Sequence, residues 1–423
     1  HLDGTYRVVD LPTSLSDFVN TYIHSDTINT QSAVTGSNVH LYGEINTLLP
    51  FKILLVEDQL QSKPLSIDAT IDFDQNVVDG KVQVDSFYYN EFFSEQLLLT
   101  AATNGPNIDF NVVGDMNTYN GTPINKLIIE NKLNERMIES ALSAFDKKDS
   151  LMVKLSTQSQ FEEDQILVTV QDSFILNNNE WKVMNDNLIK IENSCVTVSN
   201  FELAKGLERI KVNSSSDTSG ELSVLFESFN LKEFSEILLT NGSTVSGEIN
   251  GAINIKDLCT APYYIANIAV NDIVYDSTYV GLLEIAGDAD PRNSLIRTDL
   301  SLIGPTNRLV GTANYNTATR GIDIDVGFDS LQLLLIDPFL EDIIRESDGH
   351  ISGEIKVGGN IDEPELSGFA ELHNTVTTIV ANNTRYSLND HVINFDNKSI
   401  DIGELVLYDE DKNKAKITGK IYH

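Results

Sequence analysis

The sequence predicts an all-β protein: a long, curled antiparallel β-sheet of groove-like β-repeats, with a few short helices. Three observations predict it. Apolar and polar residues alternate with period two through much of the chain, turn signals recur about every ten residues, and helical spacing is confined to three short stretches. Successive side chains of a strand point to opposite faces, so such alternation marks half-buried strands. Parallel strands covered on both faces would read instead as unbroken Val, Ile and Leu runs. The expected sheet is therefore one-sided, apolar on one face and polar, largely acidic, on the other.

The first clear strand is 66–73, where Ile67, Ala69, Ile71 and Phe73 share a face. Alternation recurs at 81–84, 108–112, 165–170, 221–226 and 249–255. Residues 321–328 put Ile322, Ile324, Val326 and Phe328 on one face and Asp323 and Asp325 on the other; 351–357 and 415–421 repeat the pattern. Turns are expected at Asp79-Gly80, Asn104-Gly105-Pro106, Asn120-Gly121, Asn241-Gly242, Gly304-Pro305 and Gly358-Gly359-Asn360, because Gly and Asn supply the positive φ that tight hairpins need. Residues 409–413 read as a further hairpin tip. Helical spacing is found at 134–145, where Met137, Ile138, Ala141, Leu142 and Phe145 fall on one face. It is found again at 231–239 and at 337–344, where Asp337-Pro338 has the form of an N-cap with proline in the first turn. Each is one to three turns, too short to stand without packing. Trp181, the only tryptophan, is expected in the core.

Internal echoes organise the chain. Gly43-Glu44-Ile45-Asn46 recurs as Gly247-Glu248-Ile249-Asn250, and Ser246-Gly247-Glu248-Ile249 as Ser352-Gly353-Glu354-Ile355. Phe93-Ser94-Glu95 recurs as Phe234-Ser235-Glu236. The spacings share no single period, which describes a degenerate β-repeat. Three segments are expected: 1–180, β-rich with one helix near 134–145; 181–348; and 349–423, together forming one elongated sheet. The opening His1-Leu2-Asp3-Gly4 has the look of an excised fragment.

Composition excludes several functions. Asp and Glu number 63 against 29 Lys and Arg, a formal net charge of −34. Nucleic-acid binding needs cations to neutralise phosphates, and docking on anionic lipid is disfavoured for the same reason. No run approaches the roughly 18 to 20 apolar residues of a membrane-spanning helix. The seven histidines form no His-x-x-x-His pair, and neither a phosphate loop nor a Gly-x-Ser-x-Gly elbow occurs. Asp409, Asp411 and Asn413 begin like a calcium loop, but Lys414 and Lys420 stand where glycine and glutamate are required. Asp323 and Asp325, like Asp288 and Asp290, read as solvated strand and turn residues. No catalytic, cofactor or metal residues are expected. Cys195 and Cys259 allow one disulfide or two buried thiols. Five Asn-x-Ser/Thr triplets are no more than such a chain produces by chance.

The segment 349–423 carries a recognisable cadence. Ile351-Ser352-Gly353-Glu354-Ile355 leads to Gly358-Gly359, then to Pro364-Glu365-Leu366-Ser367-Gly368, and closes with Asp409 before Ile417-Thr418-Gly419-Lys420-Ile421-Tyr422-His423. This order of motifs resembles the C-terminal domain of TamB, the translocation and assembly module subunit, within the AsmA-like group. A weaker likeness runs back from Ile255 to Trp181. The resemblance implies a taco-shaped β-sheet with an apolar groove, anchored in the inner membrane by a segment absent here and crossing the periplasm. It implies a non-catalytic role in outer-membrane protein assembly and phospholipid transport. The partners implied are phospholipid or another acyl-chain ligand and, through parts of the full-length chain, an Omp85-type outer-membrane protein. The residues then expected to face the groove are Ile322, Ile324, Val326, Ile351, Ile355, Val357, Ala415, Ile417 and Ile421, with the helices near Phe234 and Phe339 plugging or lining it. The same residues also suit an ordinary sandwich core, which would make the chain an extracellular β-repeat adhesin or surface scaffold.

Overall fold

The computed structural model describes residues 2–4, 38–45, 61–62 and 65–422, except 74, 120–121, 135, 172, 194, 216–219, 233–243, 341 and 398. The fold is all-β. Among the described residues helix is limited to Lys232 and two single 3₁₀ turns, Leu333–Leu335 and Asp337–Phe339, and every strand pairing is antiparallel. The described residues fall into two units, 2–206 with 211–214 and 207–210 with 215–232 and 244–422.

In the first unit the strands Phe92–Asn104, Asn107–Tyr119, Thr122–Asn134, Met137–Phe145 and Leu151–Phe161 form an antiparallel meander. Register sorts its faces, because residues directly opposite one another share a side. Ile108, Leu133 and Ile138 align on one face, where Ile108 and Leu133 are buried against Phe73, Val78 and Phe110. Asp109, Lys132, Glu139 and Gln158 align on the other. Trp181 is buried as expected, with the Lys205 ammonium 5.0 Å from its ring centroid.

Several expectations are corrected here. No described residue of 134–145 is helical: Met137–Phe145 is a strand paired on both sides, with one irregularity at Ala144/Phe145. Its apolar residues satisfy both periods, since Ile138 and Leu142 meet Leu133 and Ile129 on one face while Met137, Ala141 and Phe145 occupy the other. Pairing with a neighbouring strand on each side holds this segment, whereas an isolated helix of three turns is marginal in water. Asp79-Gly80 lies inside the Val77–Val84 strand, and the chain turns instead at Asn76, φ 53°. Where a capped helix was expected from Asp337, Asp337–Phe339 is a single 3₁₀ turn and Ile344 already begins a strand; the Asp337 carboxylate accepts the Ser347 N–H at 2.8 Å. The proposed helix at 231–239 lies, from 233 onward, outside the described residues. Both cysteines, Cys195 and Cys259, are disulfide-bonded, which decides between the two states the sequence left open.

In the second unit Leu222–Asn230, Val245–Lys256, Tyr263–Tyr275, Thr278–Asp290, Leu295–Ile303, Arg308–Asn316, Gly321–Gln332, Ile344–Asn360 and Glu363–Ile379 pair in sequence order. The last then divides its edge between Thr384–Leu388 and His391–Asn397, and Ser399–Tyr408 and Lys414–Tyr422 follow. The turns expected at Gly304-Pro305 and 409–413 are present, closed by Gly304 N–H to Asn307 O at 2.7 Å and Asp409 N–H to Asn413 O at 3.1 Å.

Candidate functional site: the apolar sheet face

Register brings together apolar residues that are far apart in sequence. Within the second unit Val224, Ile253, Ala266, Gly287, Thr298, Ala313, Ile324, Val357 and Leu366 stand opposite one another, strand by strand. Two residues along each strand runs a second row: Phe226, Gly251, Ile268, Ile285, Leu300, Gly311, Val326, Ile355, Gly368, Phe395, Ile400 and Ile421. Apolar side chains in both rows are half-buried, except Ile421, which is 52% exposed. They have neighbours on their own sheet but none is closed from water.

A third row behaves differently. Phe229, Ile249, Val270, Leu283, Leu302, Leu309, Phe328, Gly353 and Ala370 align, and Phe229, Val270, Phe328 and Ala370 are buried. The end of Gly321–Gln332 and the chain that follows it seal this end: Leu335 packs on the Val270, Ile273 and Val280 cluster, and Leu331 and Ile336 on the Phe328, Ile351 and Ala370 cluster. Ladder irregularities at 226/229, 270/273, 328/331 and 345/348 lie along this end, with Ser228, Asp272 and Glu346 at positive φ. Bulges bend and twist strands, which lets the sheet close over the sealing turn.

The nine sequence-predicted groove residues share this face but not one environment. Ile322, Ile324, Val326, Ile355 and Val357 are half-buried, and Val326 and Ile355 also pack against the sealed cluster. Ile351 is buried in the sealed cluster. Ala415 and Ile417, opposite Leu407 and Leu405, and Ile421, opposite Ile400, lie on Lys414–Tyr422, where Ile417 is 40% exposed. Sequence reasoning missed Phe226, Ile268, Ile285, Leu300 and Phe395 in the same row. Of these only Phe226 lies in a strand that the alternation marked, at 221–226; the strands of Ile268, Ile285, Leu300 and Phe395 were not read, and which residues of different strands face one another is set by register, which alternation does not reveal.

The opposite face is ionic. Lys356 holds Asp325 and Glu354 at 3.0 Å each, Arg297 holds Asp288 at 2.8 Å, and Lys416 and Lys420 hold Glu404 at 2.7 Å and Asp401 at 3.1 Å. Hydrogen bonds from its ammonium to Asp325 and then Glu354 raise the Lys356 pKa above its ordinary value, and the hydrogen bond from Arg292 lowers that of Asp290. The carboxylates at 288, 290 and 325 are thus engaged by cations. A hollow of about 690 Å³ is lined by Asn250, Asn267, Glu284, Asp299, Ser301 and Thr312 with Gly251, Ile268, Ile285, Leu300 and Gly311. Another, about 600 Å³ in the first unit, is more polar, with Asp109, Glu130, Lys132, Glu139 and Gln158.

One constellation resembles a nucleophile and its base. Ser352 Oγ lies 2.9 Å from His373 Nε2, while Asp390 Oδ2 is 3.8 Å from Nδ1. The second distance is too long for a hydrogen bond, so the imidazole is not oriented as a triad requires. Among the described residues no group of three or more His, Cys, Asp or Glu side chains is arranged to hold a metal ion. No protein-family model matches the chain, and no curated protein or solved structure matches it at a significant level.

Proposed function

We propose that the chain is a non-catalytic envelope-biogenesis protein of the TamB kind. On this reading it works in the periplasm, and the full-length protein is held in the inner membrane by a segment outside this sequence. Its apolar face shelters acyl chains of phospholipid moving between inner and outer membranes. It supports outer-membrane protein assembly alongside an Omp85-type partner. The observation that carries the reading is the pair of contiguous half-buried apolar rows beside a third row that is sealed. The second row crosses eleven strand-to-strand steps of about 4.8 Å, roughly 50 Å, longer than the roughly 30 Å hydrocarbon thickness of a bilayer. Each methylene moved from water onto such a face contributes about 0.8 kcal/mol, while headgroups stay in water. The motif cadence of 349–423 supports the same reading, and the disulfide-bonded state of both cysteines fits an oxidising compartment.

Native mass spectrometry of protein purified gently from cells tests it. Phospholipid should copurify with the wild type and be lost from Ile324→Asp/Val357→Asp, an opposed pair outside the sealed cluster, which keeps its β-sheet circular dichroism. Ile351→Asp, in the sealed cluster, should instead fail to fold. A lipid-free wild type would overturn the carrier and leave a β-repeat surface scaffold, the reading that the sealed third row favours.

A further inference from the structure

The strand Lys414–Tyr422 pairs with Ser399–Tyr408 on one side and, among the described residues, with nothing on the other. Register fixes what that open edge presents. Antiparallel pairs alternate between hydrogen-bonded and non-hydrogen-bonded. The Asp409 N–H donates to Asn413 O, and from Tyr408 opposite Lys414 to Gly403 opposite Gly419 the register is unbroken. Six residues along each strand (409 − 403 = 6 and 419 − 413 = 6), Gly403 and Gly419 are again a hydrogen-bonded pair. Lys414, Lys416 and Thr418 take the alternate positions, so their N–H and C=O groups turn outward, as a template for one more strand.

Gly419 is a second, independent sign. At φ 156° it shares the conformation of Gly353, φ 153°. A Cβ at Gly353 would stand 2.2 Å from Phe369 O on the adjacent strand, so a closely approaching backbone excludes a side chain there. A Cβ at Gly419 would meet nothing within 4 Å. Because its N–H and C=O turn inward, its Cα side faces the open edge. Glycine weakens a strand, and here it keeps clear the place where another backbone would approach.

Charge and pattern select the occupant. In a chain of net charge −34 this strand has three lysines and no acid. Lys414, Lys416 and Lys420 share one face with Thr418, while Ala415, Ile417 and Ile421 share the other, where both isoleucines are exposed. Inside the sheet such a lysine is opposed by an acid, as Lys356 is by Asp325. Lysines alone would only guard the edge against pairing, but a guarded edge has no use for Gly419. Self-pairing with a second copy about Thr418 would set Lys416 against Lys420, like charges directly opposed.

We propose that Lys414–Tyr422 is a docking edge for an extended segment of a partner protein. The segment adds an antiparallel strand with carboxylates on the lysine side and aliphatic side chains on the other. This edge is independent of the lipid-handling reading and goes beyond it.

Fluorescence anisotropy of the full chain with a labelled synthetic peptide of residues 321–328, Gly-Ile-Asp-Ile-Asp-Val-Gly-Phe, tests it, since that sequence carries the required alternation. The peptide should bind, and hydrogen exchange across 414–422 should slow in its presence. The Asp323→Lys/Asp325→Lys peptide should bind at least about tenfold more weakly. Two variants of the protein alter the edge without touching the inner ladder: Thr418→Pro removes an outward N–H, and Gly419→Ala fills the cleared position. Both should keep the β-sheet circular dichroism of the wild type and lose at least about tenfold in peptide affinity. A wild type that ignores the acidic peptide, or variants that bind it as the wild type does, overturns the proposal. So does concentration-dependent dimerisation that Thr418→Pro abolishes, which would assign the edge to a second copy. Phospholipid should copurify with Thr418→Pro as with the wild type, which separates the edge from the apolar face.

Discussion

Single side chains do much of the fastening at strand ends. Asn307, 1% exposed, donates from Nδ2 to Val280 O at 2.9 Å and to Gln332 Oε1 at 2.8 Å, and its Oδ1 accepts the Gln332 N–H at 2.8 Å. Asn187 does the same in the first unit, bonding both the N–H and the carbonyl of Val170 at 2.8 Å. Asn307→Ala would strand a buried donor and acceptor, and a cost of about 2–3 kcal/mol is expected, read as a lower urea midpoint. An unchanged midpoint would mean that water replaces the side chain. Gly368 is the contrasting case. At φ 121°, a Cβ there would stand 2.0 Å from Glu354 O, a backbone atom that cannot move aside cheaply. Gly368→Ala should therefore cost at least about 2 kcal/mol in the same assay, and a neutral result would show that the paired strands can separate. Gly368 was legible, because its place in the Pro364–Gly368 motif marked it. Asn307 was not, because nothing local separates a buried, triply bonded asparagine from the many solvated ones in this chain.

At the scale of elements, strands were legible where one face is apolar and the other polar, as in Gly321–Gln332. Legibility failed at Met137–Phe145, where apolar residues on both faces imitate a helical stripe and only the flanking ladders decide. It also failed at 333–339, where five of seven residues are strongly apolar yet the chain coils into two 3₁₀ turns to cover the sheet end. Leu333, the buried residue of that segment, makes it a structural part of the unit. Leu333→Ala is expected to cost about 2–4 kcal/mol, seen as a lower thermal midpoint, whereas Leu340→Ala, at an exposed position, should barely shift it. Equal effects would contradict the sealing role. The C-terminal hairpin makes a pH prediction. Asp401 is held below the usual carboxylate range by the Gly403 N–H and then Lys420, Glu404 by Lys416, and Asp409 by the Asn413 side chain. Their folded pKa values lie below the unfolded ones, so their stabilisation is full above about pH 4–5 and is lost as pH falls through the folded values. Asp409→Asn removes one such group. The variant's thermal midpoint should thus fall less than the wild type's between about pH 6 and pH 3, and parallel curves would refute this account.

For the molecule as a whole, the sequence foretold two chemically distinct faces, but not that one row would be sealed and two left open. The difference arises from residues far apart in the chain, Leu331 to Ile336 meeting Val270 and Phe328, and no periodicity encodes that meeting. The chain's net charge is −34, and the ion pairs of the polar face are exposed and individually worth little. Unpaired carboxylates on neighbouring strands lie closer together than the screening length of roughly 30 Å at 0.01 M salt, and farther apart than about 3 Å at 1 M. Repulsion summed over such a face opposes the folded state at low salt and fades as salt is added. Salt also weakens Lys356–Asp325 and its fellows, but with fewer than half as many cations as acids the attractive sum is the smaller. The thermal midpoint should rise by several degrees from about 0.01 M to about 0.5 M sodium chloride, and equally with choline chloride, since the effect is screening and not ion binding. A midpoint that fell with salt would mean that the cross-strand pairs hold the sheet together more than its acidity pushes it apart.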